Sequence, residues 1–322
     1  MVFAIGCGHA AMAQKPLELR YGHMNPPTSA AGLQAQWLAE EIAKQTGSQI
    51  NLKVYPSSQL GKLQELAEAV STGTIALSHN TAAGFGALYE PFAALDTPYL
   101  YRDVAHLMKV VDVDSPVMKK LSAGLSKSAG VRVLYAYYFG TRQLTTTNKA
   151  VYQPSDLGGL KIRAIPFPIY LATVTGMGAV PVPVDFAELP TALATGQVAG
   201  QENPFNVIHT SKMFETQSYL MLTGHIMGAQ YIVINEGVWK GLSEQQRTAV
   251  TKAANIVRER ATKYVLDQEA ADLESLKKAG MKVIGPAEGL KLDAFKASVA
   301  TTINKDFGAK YGDLYKEISA IK

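Results

Sequence analysis

Thiols are almost absent from this chain: its 322 residues contain one cysteine, Cys7. That residue lies in the opening segment 1–13, MVFAIGCGHAAMA, which is uncharged and apolar and ends in Ala11-Met12-Ala13, an A-x-A cleavage signal. The segment reads as the remnant of an export signal that lacks a basic n-region. A frayed N-terminus, or a lipoprotein signal through Ala4-Ile5-Gly6-Cys7, are the other readings. Cleavage after Ala13 leaves a mature protein with no thiol, which excludes disulfides, structural Cys-zinc and Cys nucleophiles. Long hydrophobic runs are missing as well. Past the first dozen residues no stretch approaches the ~18 uncharged apolar positions of a transmembrane helix. Charge of one sign does not accumulate: 31 Lys plus Arg against 27 Asp plus Glu leave a net +4, with no basic run of five. No nucleic-acid motif accompanies that mild excess, so it suits small anions better than a phosphate backbone.

The familiar catalytic signatures are also missing. There is no G-x-S-x-G, no H-E-x-x-H and no G-x-x-x-x-G-K-[ST]. Gly84-Phe85-Gly86 and Gly176-Met177-Gly178 begin a G-x-G without the third glycine, and read as loop and turn glycines. The six histidines (His9, His23, His79, His106, His209 and His225) show no ligand spacing, so neither a metal nor an organic cofactor is expected. Three of them, His23, His79 and His225, lie next to predicted strand ends, where α/β sheets open their ligand crevice.

What is present is a globular composition, 47% hydrophobic and 18% charged, long enough for about two domains. Leu17–His23 alternates like a strand, and Thr28 or Ser29 caps a helix to about Thr46 bearing Leu33, Trp37, Leu38 and Ile42 at helical spacing. Ile50, Leu52 and Val54 form a second strand, Leu60 to Val70 a second helix closed by Gly73, and Thr74–Ser78 a third strand. This order predicts a parallel sheet covered by helices. A second unit begins with the β-prone run Val131–Phe139 and continues through Lys161–Ala164, a helix over Pro168–Gly176, the extended Ala179–Val184 and a helix over Phe186–Thr195. With no Ser/Gly-rich linker between the units, connecting strands are expected to cross from one lobe to the other. Ser243 and Gln246 form a capping box, and an apolar stripe then runs without Pro or Gly to Gly280. Such a helix approaches ~50 Å, enough to brace both lobes; a kinked pair of helices is the alternative.

Five blocks carry a more specific signal. They are Gln59-Leu60-Gly61; Gly140-Thr141-Arg142-Gln143; Asp156-Leu157-Gly158-Gly159-Leu160-Lys161-Ile162-Arg163; Phe186-Ala187-Glu188-Leu189; and Gly200-Gln201-Glu202-Asn203-Pro204. Together they resemble the substrate-binding proteins of tripartite ATP-independent periplasmic (TRAP) transporters, the DctP-like family, over the whole mature chain. The resemblance implies a periplasmic-binding-protein clamshell of two α/β lobes with crossing strands and a long bracing helix near the C-terminus. One lobe then comprises residues 14–139 plus 229–268 and the other 140–228 plus 269–322. It implies capture of an organic acid anion and delivery to integral-membrane TRAP subunits, by a monomer that makes or breaks no bond. A sensor that presents the acid to a receptor, and an enzyme acting on the acid, are the alternatives.

The same resemblance assigns site residues. Arg163 matches the family's arginine that forks onto the ligand carboxylate, and Arg142 a second cationic contact. Asn203 matches an amide that meets the ligand or Arg163, and Phe186 an aromatic position in the cleft. His23, Asn25, His79 and Asn80 fall in predicted first-lobe loops facing the cleft, where they read ligand hydroxyls or a second carboxylate; His225 joins them from its strand end. The chain departs from the family after Arg163, where Ala164-Ile165-Pro166-Phe167-Pro168 offers no Asn or Ser. That departure argues against a sialic-acid-like ligand. Gln201-Glu202-Asn203 in place of a Trp-containing block argues against an obligatory cation. Tyr135, Tyr137, Tyr138, Phe167 and Phe205 are candidates for a less polar lining.

Overall fold

The computed structural model describes residues 15–322; the cysteine and the cleavage signal lie outside the described residues. Nine strands are present among them: β1 Leu17–Gly22, β2 Ile50–Tyr55, β3 Leu77–Asn80, β4 Val131–Thr146, β5 Lys161–Ala164, β6 Val180–Pro183, β7 Gly200–Pro204, β8 Tyr219–Asn235 and β9 Lys282–Ile284. They form a single sheet in the order β2-β1-β3-β8-β4-β7-β5-β6, with β9 paired to β8. β1, β2 and β3 are parallel, as the strand–helix–strand pattern predicts. β5, β6 and β7 repeat the parallel arrangement at the other end.

The two ends are joined by β4 and β8, antiparallel partners of 16 and 17 residues. At ~3.4 Å per residue each crosses more than 50 Å, from one end of the sheet to the other. The sequence reading stops the first of these at Phe139 and has no strand over residues 219–235. Both strands are buried along most of their length, so they lack the alternation that marks a half-exposed strand. Gly140 permits the bend on β4: its φ of +120° is a glycine conformation, and a Cβ there would lie 2.7 Å from Pro204.

Local chemistry explains the helices. The Ser29 hydroxyl accepts the Gly32 amide at 3.1 Å and starts the helix Ala30–Gln45, which buries Ala31, Ala35, Leu38 and Ile42. Leu33 and Trp37, expected on that stripe, are only half-buried; Trp37 packs instead against Arg260 and Tyr264. The capping box of Ser243 and Gln246 opens one unbroken helix, Glu244–Lys278, about 52 Å long at ~1.5 Å per residue. It touches the first helix through Tyr264 and Trp37. Its later turns bind the second unit, with Asp272 2.8 Å from His209 Nδ1 and 3.1 Å from Asn206 Nδ2. The brace is therefore a single helix rather than a kinked pair. A second long helix, Leu292–Ala320, ends against residues of the first unit, with the Tyr315 hydroxyl 2.9 Å from Thr97 Oγ1.

The third strand is displaced from its predicted position. Gly73 turns with φ +77°, and regular pairing begins only where β1 and β8 flank the chain on both sides, at Leu77. His79 and Asn80 therefore sit inside β3 rather than in a loop after it. His225 likewise lies within β8, not at a strand end.

Candidate ligand-binding site

Arg163 is the penultimate residue of β5, between the buried Ile162 and Ala164, and is itself only 1% exposed. Its Nε donates to the Val184 carbonyl at 2.8 Å, at the end of the neighbouring strand β6. Its Nη1 is buried with no partner. Burial pushes the guanidinium down to about 10, with Glu202 opposing and Arg142 assisting, so the group is still charged at neutral pH. A buried, positively charged fork with a free donor is costly unless an anion meets it, and a carboxylate matches it in bidentate geometry.

Arg142 is in a different state. Its Nε and Nη2 both donate to the Glu202 carboxylate, Nη2 at 2.8 Å, and Nη2 also reaches the Glu202 carbonyl at 2.6 Å and Asn203 Oδ1 at 3.1 Å. His225 Nε2 lies 3.0 Å from the same carboxylate, and His225 Nδ1 lies 2.8 Å from Thr223 Oγ1. Burial alone would raise the Glu202 carboxyl, but Arg142 and His225 hold it down to about 2. The charge of Arg142 is thus taken up inside the protein. Asn203 also donates to Gln201 at 2.5 Å, so its amide bridges Arg142 and Gln201; no hydrogen bond joins it to Arg163. Glu202 was absent from the sequence-derived site. A carboxylate inside a short strand between an amide and an Asn-Pro pair was the available signal.

At the other end of the sheet His23 and His79 stack with ring centroids 4.9 Å apart. His79 is fully engaged: Nδ1 lies 2.7 Å from the Tyr21 hydroxyl and Nε2 3.1 Å from Asn25 Oδ1. Both nitrogens of His23, and Asn25 Nδ2, are buried without a partner. Burial holds His23 down to about 4, and burial together with His23 lowers His79, so both rings are neutral at pH 7. Asn80 is spent on the backbone, donating to the Leu63 carbonyl at 2.7 Å and accepting the Thr81 amide at 2.9 Å. Phe167 is buried at the start of the helix Pro168–Gly176. Phe186 is half-buried on the turn that follows Val184 and Asp185, and Phe205 is half-buried too.

The candidate aromatic lining divides in the same way. The Tyr135 hydroxyl accepts from Gln34, and the Tyr138 hydroxyl is 2.8 Å from Thr141 Oγ1, so both are satisfied internally. The Tyr137 hydroxyl is buried and free, and so are both amide atoms of its cross-strand partner Gln230. Gln230 escaped sequence reading; a lone glutamine within the run Ile226–Ile234 was its signal. Among the described residues no group of three His, Cys, Asp or Glu side chains is placed to hold a metal ion.

The description "Bacterial extracellular solute-binding protein, family 7" matches residues 21–307. The chain belongs to this family. The family 7 protein is 33% identical to the 2,3-diketo-L-gulonate-binding periplasmic protein YiaO of Escherichia coli (strain K12), over 83% of this chain and 80% of the relative. It is 29% identical to the C4-dicarboxylate-binding periplasmic protein DctP of Rhodobacter capsulatus, over 83% of this chain and 79% of that one. A crystal structure of a TRAP periplasmic solute-binding protein from Polaromonas sp JS666 bound to D-erythronate superposes with a TM-score of 0.87 at 32% identity, covering 95% and 99% of the two chains. The protein is thus a periplasmic solute-binding protein of the TRAP type with the α/β fold of that group. No helix of the described residues is long and apolar enough to cross a membrane.

Proposed function

We propose that this family 7 protein captures an organic acid anion by its carboxylate on Arg163 and delivers it to the membrane subunits of a TRAP transporter, without chemical conversion. The observation that supports this reading is the buried guanidinium with Nη1 unpartnered, beside a second arginine whose charge Glu202 already neutralises. The lobes are residues 14–139 with 229–268 and residues 140–228 with 269–322, and they close over the acid by bending the crossing strands β4 and β8. Closure removes water from the ion pair and strengthens it. Relatives bind acids of different kinds, a diketo sugar acid, C4-dicarboxylates and D-erythronate, so kinship supports an acid without selecting one.

A thermal-shift screen of the purified protein over mono- and dicarboxylates, sugar acids and aromatic acids tests the reading. At least one acid should raise the melting temperature of the native protein and fail to do so for Arg163→Ala. An acid that stabilises both equally removes Arg163 from the site, and turnover of the bound acid would show an enzyme.

A further inference from the structure

Arg163 accounts for one end of a ligand and leaves a set of buried polar groups unused. From Ile226 to Asn235 strand β8 pairs residue by residue, and the irregularities opposite it fall on β4, between Val133 and Tyr135 and between Tyr138 and Gly140. With a period of two, residues 226, 230 and 232 therefore point to one face of the sheet. Their cross-strand partners share it: Arg142 opposite Ile226, Tyr137 opposite Gln230, and both Tyr135 and His79 opposite Ile232. A continuous face thus runs from the Arg142–Glu202 pair to His79 and the His23 ring stacked on it. Along it the Tyr137 hydroxyl, Gln230 Oε1 and Nε2, His23 Nδ1 and Nε2, and the nearby Asn25 Nδ2 are all buried and unpartnered. Buried polar groups are nearly always satisfied, so orphans gathered on one face point to a ligand that satisfies them.

Their chemistry is mixed and uncharged. The two amide NH₂ groups donate, the Gln230 carbonyl accepts, the tyrosine hydroxyl does both, and a neutral imidazole does one of each. The two histidines are held neutral by burial. At the far end of the face Arg142 is already bidentate on Glu202, and the buried Asp96 carboxyl adds a second acidic group in its field.

We propose that His23, Asn25, Tyr137 and Gln230 form a subsite for the hydroxyl groups of a monocarboxylic hydroxy acid of the aldonic type. The inference rests on the Arg163 reading, since Arg163 must hold the single carboxylate. A hydroxyl donates and accepts at once and so matches a mixed set of amides, phenol and neutral imidazole. A second carboxylate requires a compensating cation as well as donors, and here the one at the end of the face, Arg142, is already spent on Glu202, with the Asp96 carboxyl adding negative charge beside it. An ammonium group requires an anion, which this stretch of the face lacks among the described residues.

Calorimetric titration with matched C4–C6 series decides it: aldonates, the dicarboxylates of equal length, amino acids of equal length and the unsubstituted fatty acids. At least one aldonate should bind about a hundredfold more tightly than its equal-length competitors, because a site built for hydroxyls leaves its own groups unpaired with any other ligand. Gln230→Leu and Tyr137→Phe should each weaken that aldonate about tenfold or more. Their unliganded unfolding midpoints, read in parallel, should not fall, since each removes an unsatisfied group. A dicarboxylate or amino acid that binds as tightly as every aldonate overturns the proposal. If Arg163→Ala abolishes that binding, the carboxylate reading survives while the hydroxyl subsite does not. Failure of every aldonate to bind, or aldonate affinity within threefold of native in both variants, overturns it as well.

Discussion

Lys62 Nζ lies 2.6 Å from Glu188 Oε1 and 2.9 Å from Asp185 Oδ2, which ties the start of the helix Leu63–Ser71 to the turn that follows β6. The ion pair therefore joins the first α/β unit to the second. The same turn begins one residue after Val184, whose carbonyl holds Arg163. The lysine grips this turn across the two units and so steadies the segment whose backbone holds Arg163. Lys62→Ala should therefore release ligand a few-fold faster, with little change in the association rate, as read by stopped-flow displacement. Raising the salt concentration should produce the same effect in the native protein and much less in the variant, because exposed ion pairs are screened. Equal release rates for native and variant at low salt would show that the pair contributes nothing to closure.

Arg163 carries the largest expected effect on affinity. Removing one partner of a desolvated, hydrogen-bonded ion pair costs ~2–5 kcal/mol, so Arg163→Ala should weaken the natural acid by roughly 30-fold to several thousand-fold. Arg163→Lys should recover only part of this, since it restores charge without the planar fork. Calorimetric titration of both variants checks the order; an Ala variant within about threefold of native contradicts the assignment.

Arg142 should behave as a structural cation rather than a free one. Breaking its buried pair by Glu202→Leu alone should lower unfolding stability by ~3–5 kcal/mol, because the guanidinium is left buried and unpaired. The double change Arg142→Met with Glu202→Leu should cost less than Glu202→Leu alone, an interaction that urea unfolding of the double variant and of both single variants, Arg142→Met and Glu202→Leu, measures directly. Additive losses would show that the two residues do not depend on one another.

Acid should destabilise the protein between pH 6.5 and 4. His23 is held neutral in the fold down to about 4 while the unfolded chain protonates near ~6.5. Its contribution is therefore fully present above ~6.5 and lost as pH falls towards 4, by up to about 3 kcal/mol. His79, lowered chiefly by burial and further by His23, acts in the same direction. Asp96, raised to about 6 by burial, acts in the opposite one: it is protonated first in the folded state and gains stability as pH falls through 6 towards its unfolded value. Two histidines against one aspartate leave a net loss. Melting temperatures from pH 7.5 to 4.5 should fall, and fall less steeply in His23→Gln. A profile unchanged by that substitution would mean that His23 titrates normally.

Much of this architecture is written in local pattern. The alternation of Leu17–His23 and of Ile50, Leu52 and Val54, the Ser29 cap and the Ser243–Gln246 capping box act within a few residues, so the sequence alone determines β1, β2 and the start and length of the long helix. Arg163 is different: local pattern places it on a short strand, and only the resemblance of its flanking block to the family singles it out before any contact is known. Tertiary structure decided the rest. A strand buried along both faces, such as β8, shows no alternation and reads as a plain apolar run until β3 and β4 pair with it. Whether an arginine is free depends on a carboxylate sixty positions away in the chain, and only the pairing of β4 with β7 brings Glu202 to Arg142 and leaves Arg163 with an open donor. Gln230 and Tyr137 meet for the same reason. Charges and amides find their partners through long-range strand register, and register is a property of the assembled sheet.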